Sequence, residues 1–230
     1  MKKILFIMLC TAFVHNVFAG VIIRGTRVIY DESSNETSVQ VKNLSGKTNY
    51  LVQAWVDNVD ASDKKKPPFV ITPPLIKLTA QHENVFRLIY TGTSALPADR
   101  ESVFWLNVKS IPGVDAEKAN GSNKLQIATE SQIKLFYRPA NLAGQANEAY
   151  KHLKFTRSGN QLNVENAGPY FVTFRELKVG GKPVIFQGNG AVKMMVPPFG
   201  HQQYTMASAS GKVEWSAIND YGATTSAISQ

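Results

Sequence analysis

The sequence predicts an all-β protein built as two β-sandwiches. Three observations carry this. Short runs of alternating apolar residues recur at spacings of about 8–12 residues, bounded by turn signals. No long stretch has the period of an amphipathic helix. A small, polar segment, Ala140 to Glu148, interrupts the series and divides the 230 residues into units near 20–140 and 145–230.

The strands are read in order. Val21 to Tyr30 is the first, and Asp31 to Glu36 is a polar turn. Thr37 to Leu44 carries Val39 and Val41 in alternation, and Tyr50 to Val56 carries Val52, Ala54 and Val56. Phe69 to Thr72 stops at Pro73-Pro74, because proline lacks the N–H that a ladder needs. Asn84 to Tyr90, Ser102 to Ile111 and Lys124 to Tyr137 complete the first unit. The second is expected to hold strands over Leu153–Arg157, Gln161–Glu165, Tyr170–Lys178, Val192–Met195, Gln203–Ala207 and Val213–Asn219. Gly159-Asn160 marks a hairpin between the first two.

The stretch Asn123 to Pro139 stands out. Leu125, Ile127 and Thr129 point one way and Gln126, Ala128 and Glu130 the other, followed by the dense run Ile133 to Arg138. Fully extended, it is one strand of about fifteen residues, against a usual 5–6 or so. Such a strand is expected to serve two partners, one half pairing in its own sheet and the other forming an edge. An edge with alternating hydrophobes is a hazard unless it binds something.

The N-terminus reads as an export signal. Lys2 and Lys3 precede an apolar run, Ile4 to Phe13, and Val17-Phe18-Ala19 forms a small-residue cleavage site. The run is too short to span a membrane, which needs about 20 residues. Removal of Met1–Ala19 leaves 23 basic residues against 17 acidic, a net charge near +6, and takes away the only cysteine, Cys10. An exported chain without cysteine has no disulfide framework and must be held by its core. Lys64-Lys65-Lys66, beside Pro67-Pro68, is the one basic run and reads as a solvated loop. No basic stripe favours nucleic acid.

Catalytic signals are thin. His82, His152 and His201 have no zinc spacing, and neither a Gly-x-Ser-x-Gly elbow nor a cysteine nucleophile is present in the mature chain. Gly188-Asn189-Gly190 reads as a turn rather than a phosphate loop. The expectation is no catalytic residue, no metal and no cofactor.

Charges in apolar company are more informative. Arg27 shares its parity with Val21, Ile23 and Ile29. If that face is buried, Arg27 needs an anion, because an unpaired buried charge is costly. Alternatively, Gly25 bulges the strand and turns Arg27 to solvent. Lys134, between Ile133 and Leu135, has the same character, or else snorkels from a half-exposed strand. Two such cations without an acidic companion suggest an anion from outside the chain, a carboxylate or a phosphate. Glu101, Arg138 and Asp220 read as a structural ion cluster between the two units.

Leu96 to Pro112, with its core Glu101-Ser102-Val103-Phe104-Trp105-Leu106-Asn107-Val108, resembles the signature of the periplasmic pilus-assembly chaperones, the PapD-like family of the chaperone–usher pathway. Gly20 to Tyr30, Ile71 to Leu75, Ile133 to Pro139 and Ile218 to Gly222 match in the same order, so the resemblance spans nearly the whole mature chain. It looks most similar to the type 1 fimbrial branch. The resemblance implies two immunoglobulin-like domains arranged as an L, a periplasmic location and no cofactor. Implied partners are pilus subunits, including a tip adhesin, and the outer-membrane usher, with weak self-association of the free protein. By resemblance, Arg27 and Lys134 anchor a subunit's C-terminal carboxylate. Leu125, Ile127 and Thr129 are the plugs lent to the subunit's open groove, and Glu101, Arg138 and Asp220 are the interdomain cluster. Thr129 departs from the family's third hydrophobe. The short loop between Pro112 and Lys124 and the missing cysteine pair fit the short-loop branch. Other readings are a pilin or adhesin subunit, or a sugar-binding sandwich using Trp55, Trp105 and Trp215.

Overall fold

The structure is a computed structural model that describes residues 20–114, 125–186, 188, 190–208 and 210–230. The expected signal Met1–Ala19 with Cys10, the residues 115–124 and Asn189 lie outside the described residues. No helix among the described residues is long and apolar enough to cross a membrane.

The first sandwich holds β1 (Val21–Ile23), β2 (Arg27–Asp31), β3 (Thr37–Asn43), β4 (Tyr50–Asn58), β5 (Phe69–Thr72), β6 (Leu75–Leu78), β7 (Glu83–Tyr90), β8 (Ser102–Pro112) and β9 (Thr129–Arg138). One sheet runs β1-β3-β7-β5 and the other β2-β9-β8-β4-β6. Every pair is antiparallel except β2–β9, which is parallel. Val39, Val41, Phe86 and Leu88 of the first sheet meet Val52, Leu106, Val108 and Leu135 of the second in a fully buried core. The alternation expected in the sequence is the alternation seen, since period-2 patterning puts every second residue on the core face.

The second sandwich opens with a 3-10 helix, Ala146–His152. Then come β10 (Lys154–Ser158), β11 (Gln161–Asn166), β12 (Val172–Val179), β13 (Lys182–Pro183), β14 (Met195–Val196), β15 (Gly200–Thr205), β16 (Val213–Ala217) and β17 (Ile228–Ser229). Its sheets are β10-β11-β15 and β13-β12-β16-β17, with β14 alongside β12. The core centres on Leu162, Val164, Phe174, Leu177 and Trp215. The β10–β11 hairpin turns at Gly159-Asn160, with Ser158 opposite Gln161.

Four expectations change. The first strand is two, because Gly25 adopts φ +107° and diverts the chain. β1 joins one sheet and β2 the other, so counting parity through Gly25 has no meaning. The linker is only partly loose, since its last three residues, Ala146 to Glu148, begin the 3-10 helix that buries Ala149 and Tyr150. Val192 lies in a helical turn, Gly190–Lys193, rather than a strand, and strand pairing is confined to Met195–Val196. β9 begins at Thr129, not Lys124, and has 10 residues. The last change has a physical cause. Thr129 faces Ser110 near the end of β8, and the chain beyond Ser110 reaches Pro112, which offers no donor.

β9 nevertheless has the divided pairing its length suggested. It is paired with β8 from Thr129 to Tyr137, but with β2 only from Lys134 to Arg138. Thr129 to Ile133 is therefore an edge, and Lys134 is the first residue held on both sides.

Candidate functional site: an interdomain cleft

The faces of β9 sort its residues. Leu135 and Tyr137 are buried in the first core and Ile133 packs against it. Lys134, Phe136 and Arg138 take the opposite face, toward the second sandwich. Phe136 meets Phe171 across the boundary at 5.7 Å between ring centroids. Leu125 and Ile127 have the parity of the core face, but they precede the strand and are 87% and 64% exposed. Thr129, the third plug position, is in β9, its hydroxyl 2.8 Å from that of Ser110. Among the described residues, one hydrogen bond, from Gln126 Nε2 to the Pro112 carbonyl at 2.6 Å, holds the segment before it.

The sequence-predicted cations meet. Arg27 and Lys134 are directly opposite in the parallel β2–β9 ladder. Both line a cleft of about 460 Å³ together with Trp105, Gln132, Arg175 and Ile218. The Arg27 guanidinium lies 5.6 Å from the centroid of the Phe136 ring, and its Nη1 donates to the Ile218 carbonyl at 3.1 Å. Among the described residues, its buried Nε has no hydrogen-bond partner. Burial lowers the Arg27 pKa, while Asp220 and Glu101 pull it back up. Burial lowers Lys134 further, helped by the neighbouring charge of Arg27, to about 8. Among the described residues, neither cation has an ion pair. Of the alternatives for Arg27, neither exposure nor an internal anion is observed. It is half-buried with unspent donor capacity, which suits an anionic ligand.

The three-residue ion cluster also assembles. Arg138 Nε donates to Glu101 Oε1 at 2.8 Å, and Nη1 and Nη2 donate to the two carboxylate oxygens of Asp220, both at 2.9 Å. Glu101 is buried, and its Oε2 accepts the N–H of Phe171 at 2.8 Å. The Glu101 N–H donates to the Pro169 carbonyl at 2.9 Å. Burial pushes the Glu101 carboxyl up, against the pull of Arg138 and of the Phe171 amide. Burial works against the Arg138 charge, but hydrogen bonds to Asp220 and the field of Glu101 outweigh it and raise its pKa.

Sequence reasoning missed the parts that seat this cluster. Asn147, on the 3-10 helix, accepts the Asp220 N–H at 3.0 Å. Tyr170 lies under Arg138, 5.4 Å from its ring centroid. Gly222, at φ +80°, lets its loop press on the first sandwich, where any Cβ would fall 2.5 Å from Thr26 Oγ1. Arg175 was also missed. Nothing within Tyr170 to Lys178 singles it out, and only the fold brings it into the cleft.

The tryptophans are not a sugar platform. Trp105 and Trp215 are buried, and Trp215 donates to the Tyr150 carbonyl at 2.9 Å. Trp55 is tied to Asp57 at 2.7 Å. Among the described residues, no group of three or more His, Cys, Asp or Glu could hold a metal.

The chain is similar to known proteins along most of its length. Two family profiles match the chain, "Pili and flagellar-assembly chaperone, PapD N-terminal domain" over residues 20–143 and "Pili assembly chaperone PapD, C-terminal domain" over residues 148–229. The chain is 43% identical to "Chaperone protein LpfB" of Salmonella typhimurium over 223 residues, covering 93% of this chain and 92% of that protein. The solved complex of the Salmonella enterica SafA pilin with the SafB chaperone is similar in fold, with a TM-score of 0.80 at 28% identity, covering 94% of this chain and 98% of that one. The E. coli chaperone DraB gives a TM-score of 0.78 at 33% identity, covering 93% and 96%. With its two immunoglobulin-like sandwiches, the chain belongs to the PapD-like family of pilus-assembly chaperones.

Proposed function

We propose that this chaperone captures pilus subunits in the periplasm by lending them a strand. Residues 20–140 are the holding domain and 145–230 its partner, and Met1–Ala19 directs export and is removed. A subunit with an open groove adds to the free edge of β9, taking main-chain hydrogen bonds from Thr129 to Ile133. Strand addition of this kind is the established mode of chaperone–pilin complexes. Leu125 and Ile127, disengaged from the chaperone's own core, enter the groove, and each fully buried apolar side chain contributes about 1.5–3 kcal/mol. Thr129 fills its place less well, being polar and already bonded to Ser110.

The subunit's C-terminal carboxylate sits between Arg27 and Lys134 and fixes the register, since a one-residue slip would turn every plug to the wrong face. The tip adhesin is held in the same way, and the outer-membrane usher receives the loaded complex. Glu101, Arg138 and Asp220 hold the two domains at the angle that keeps the cleft open. The carrying observation is that β9 changes from edge to interior strand at Lys134, where the two unpaired cations lie side by side.

The test is Lys134→Ala, co-expressed in the periplasm with a tagged subunit. Capture should be lost while the far-ultraviolet spectrum and thermal unfolding stay those of a folded protein. A folded variant that still co-purifies with its subunit overturns the anchor.

A further inference from the structure

The cleft holds a third cation, contributed by the other domain. β12 pairs with β16 with a register break. Phe174 faces Ala217 and Glu176 faces Ser216, so Arg175 is an extra, unpaired residue. A bulge of this type re-aims a side chain. Phe174 stays fully buried and Arg175 is exposed, lining the same 460 Å³ space as Arg27 and Lys134. Its neighbour Glu176 is engaged by Lys178 at 2.6 Å, and among the described residues Arg175 makes no ion pair. Among the described residues lining this cleft, none is acidic. Asp220 and Glu101, the nearby acids, are held by Arg138.

Three cations facing one cavity are not matched by one carboxylate. We infer that Arg175 is a further binding residue of the cleft, which takes a second anionic group of the client, an Asp or Glu side chain within its last few residues. The planar guanidinium suits bidentate capture of a carboxylate. Arg27 and Lys134 sit on the first domain and Arg175 on the second, so a doubly anionic end is gripped from both sides of the cleft. Clients are thereby sorted by the acidity of their C-terminal segment. This rests on the carboxylate-anchor reading of Arg27 and Lys134.

The experiment uses the full mature protein and synthetic apolar decapeptides with a free C-terminus. Each carries a single Glu, or Gln in its place, at one of the last four positions before the terminal residue. At low ionic strength, one Glu position should bind more tightly than its Gln counterpart by a factor of about 5–10. Arg175→Gln should bring that ratio to about 1 with little change for the Gln peptide, and Arg175→Glu should reverse it. Lys134→Ala should weaken both peptides together. A wild-type ratio near 1 at every position, or a ratio unchanged in Arg175→Gln, overturns the role of Arg175 and leaves the anchor standing. Equal binding of both peptides by Lys134→Ala and wild type overturns the anchor itself. Arg175 is exposed, so its variants are expected to fold, and circular dichroism checks this.

Discussion

Two groups of charges flank the boundary between the sandwiches, and both draw on the same face of β9. Arg138 is clasped by Glu101 and Asp220, with each of its three guanidinium nitrogens donating to a carboxylate. Lys134, four residues earlier on that face, has Arg27 opposite it on β2 and, among the described residues, no ion pair. The carboxylates stop short of it. The difference separates structure from function: a buried charge with partners fixes geometry, and one without partners is a standing demand for a ligand.

The largest effect should come from breaking the satisfied group. Glu101→Ala leaves Arg138 with one of its two carboxylates and the Phe171 amide unmatched, so unfolding free energy should fall by about 3–5 kcal/mol. Denaturant unfolding should also split into two transitions, since the domains lose their clasp. A single transition at wild-type midpoint would show that the cluster is not what joins them.

Removing the unsatisfied charge should act with the opposite sign. Lys134→Met is expected to stabilise the free chaperone at pH 7 by about 1–3 kcal/mol, because the folded state holds Lys134 at a pKa near 8 against 10.5 when unfolded. Between those values the unfolded chain binds the proton that the folded one has released. Stability contributed at Lys134 therefore rises with pH across that window, and the gap between variant and wild type should close from pH 8 to 10.5. Urea titrations at several pH values read this directly. A destabilised Lys134→Met would place the lysine among the structural residues.

The smallest effect should come from a pair that is satisfied but exposed. Arg24 and Glu83 are 3.0 Å apart with side chains about half exposed. Glu83→Gln should shift stability by less than about 0.5 kcal/mol, as solvent screens such pairs. A larger loss would mean that pairing rather than burial separates the two groups.

Much of this was legible in the residues. Alternation gave β3, β4, β7 and β8 because half-buried strands repeat every two residues. Arg27, Lys134, Glu101, Arg138 and Asp220 were visible as charges in apolar company or at strand ends. What stayed hidden depends on contacts far apart in sequence. Gly25 looked like a bulge, but whether a chain bulges or changes sheets depends on which strands lie beside it. Asn147 and Phe171 acquire their roles only when the second sandwich docks. Arg175 is unmarked within its strand, and the β12 bulge and the docking of the second sandwich bring it into the cleft. The end of β9 at Thr129 was set by Pro112 on its neighbour, not by its own residues.

The parallel pairing of β2 with β9 has a consequence in time. It joins positions more than 100 residues apart, the second and last strands of one domain. Contacts of such separation are slow to form. Before they do, Arg27 and Lys134 are strangers on a long loop and the edge of β9 has no fixed register. Afterwards the cation pair and the edge exist together. On the proposed anchor, competence to hold a client is gained in one step with closure of the chaperone's own first domain, so a half-folded chaperone presents nothing that a subunit's end could mistake for a berth.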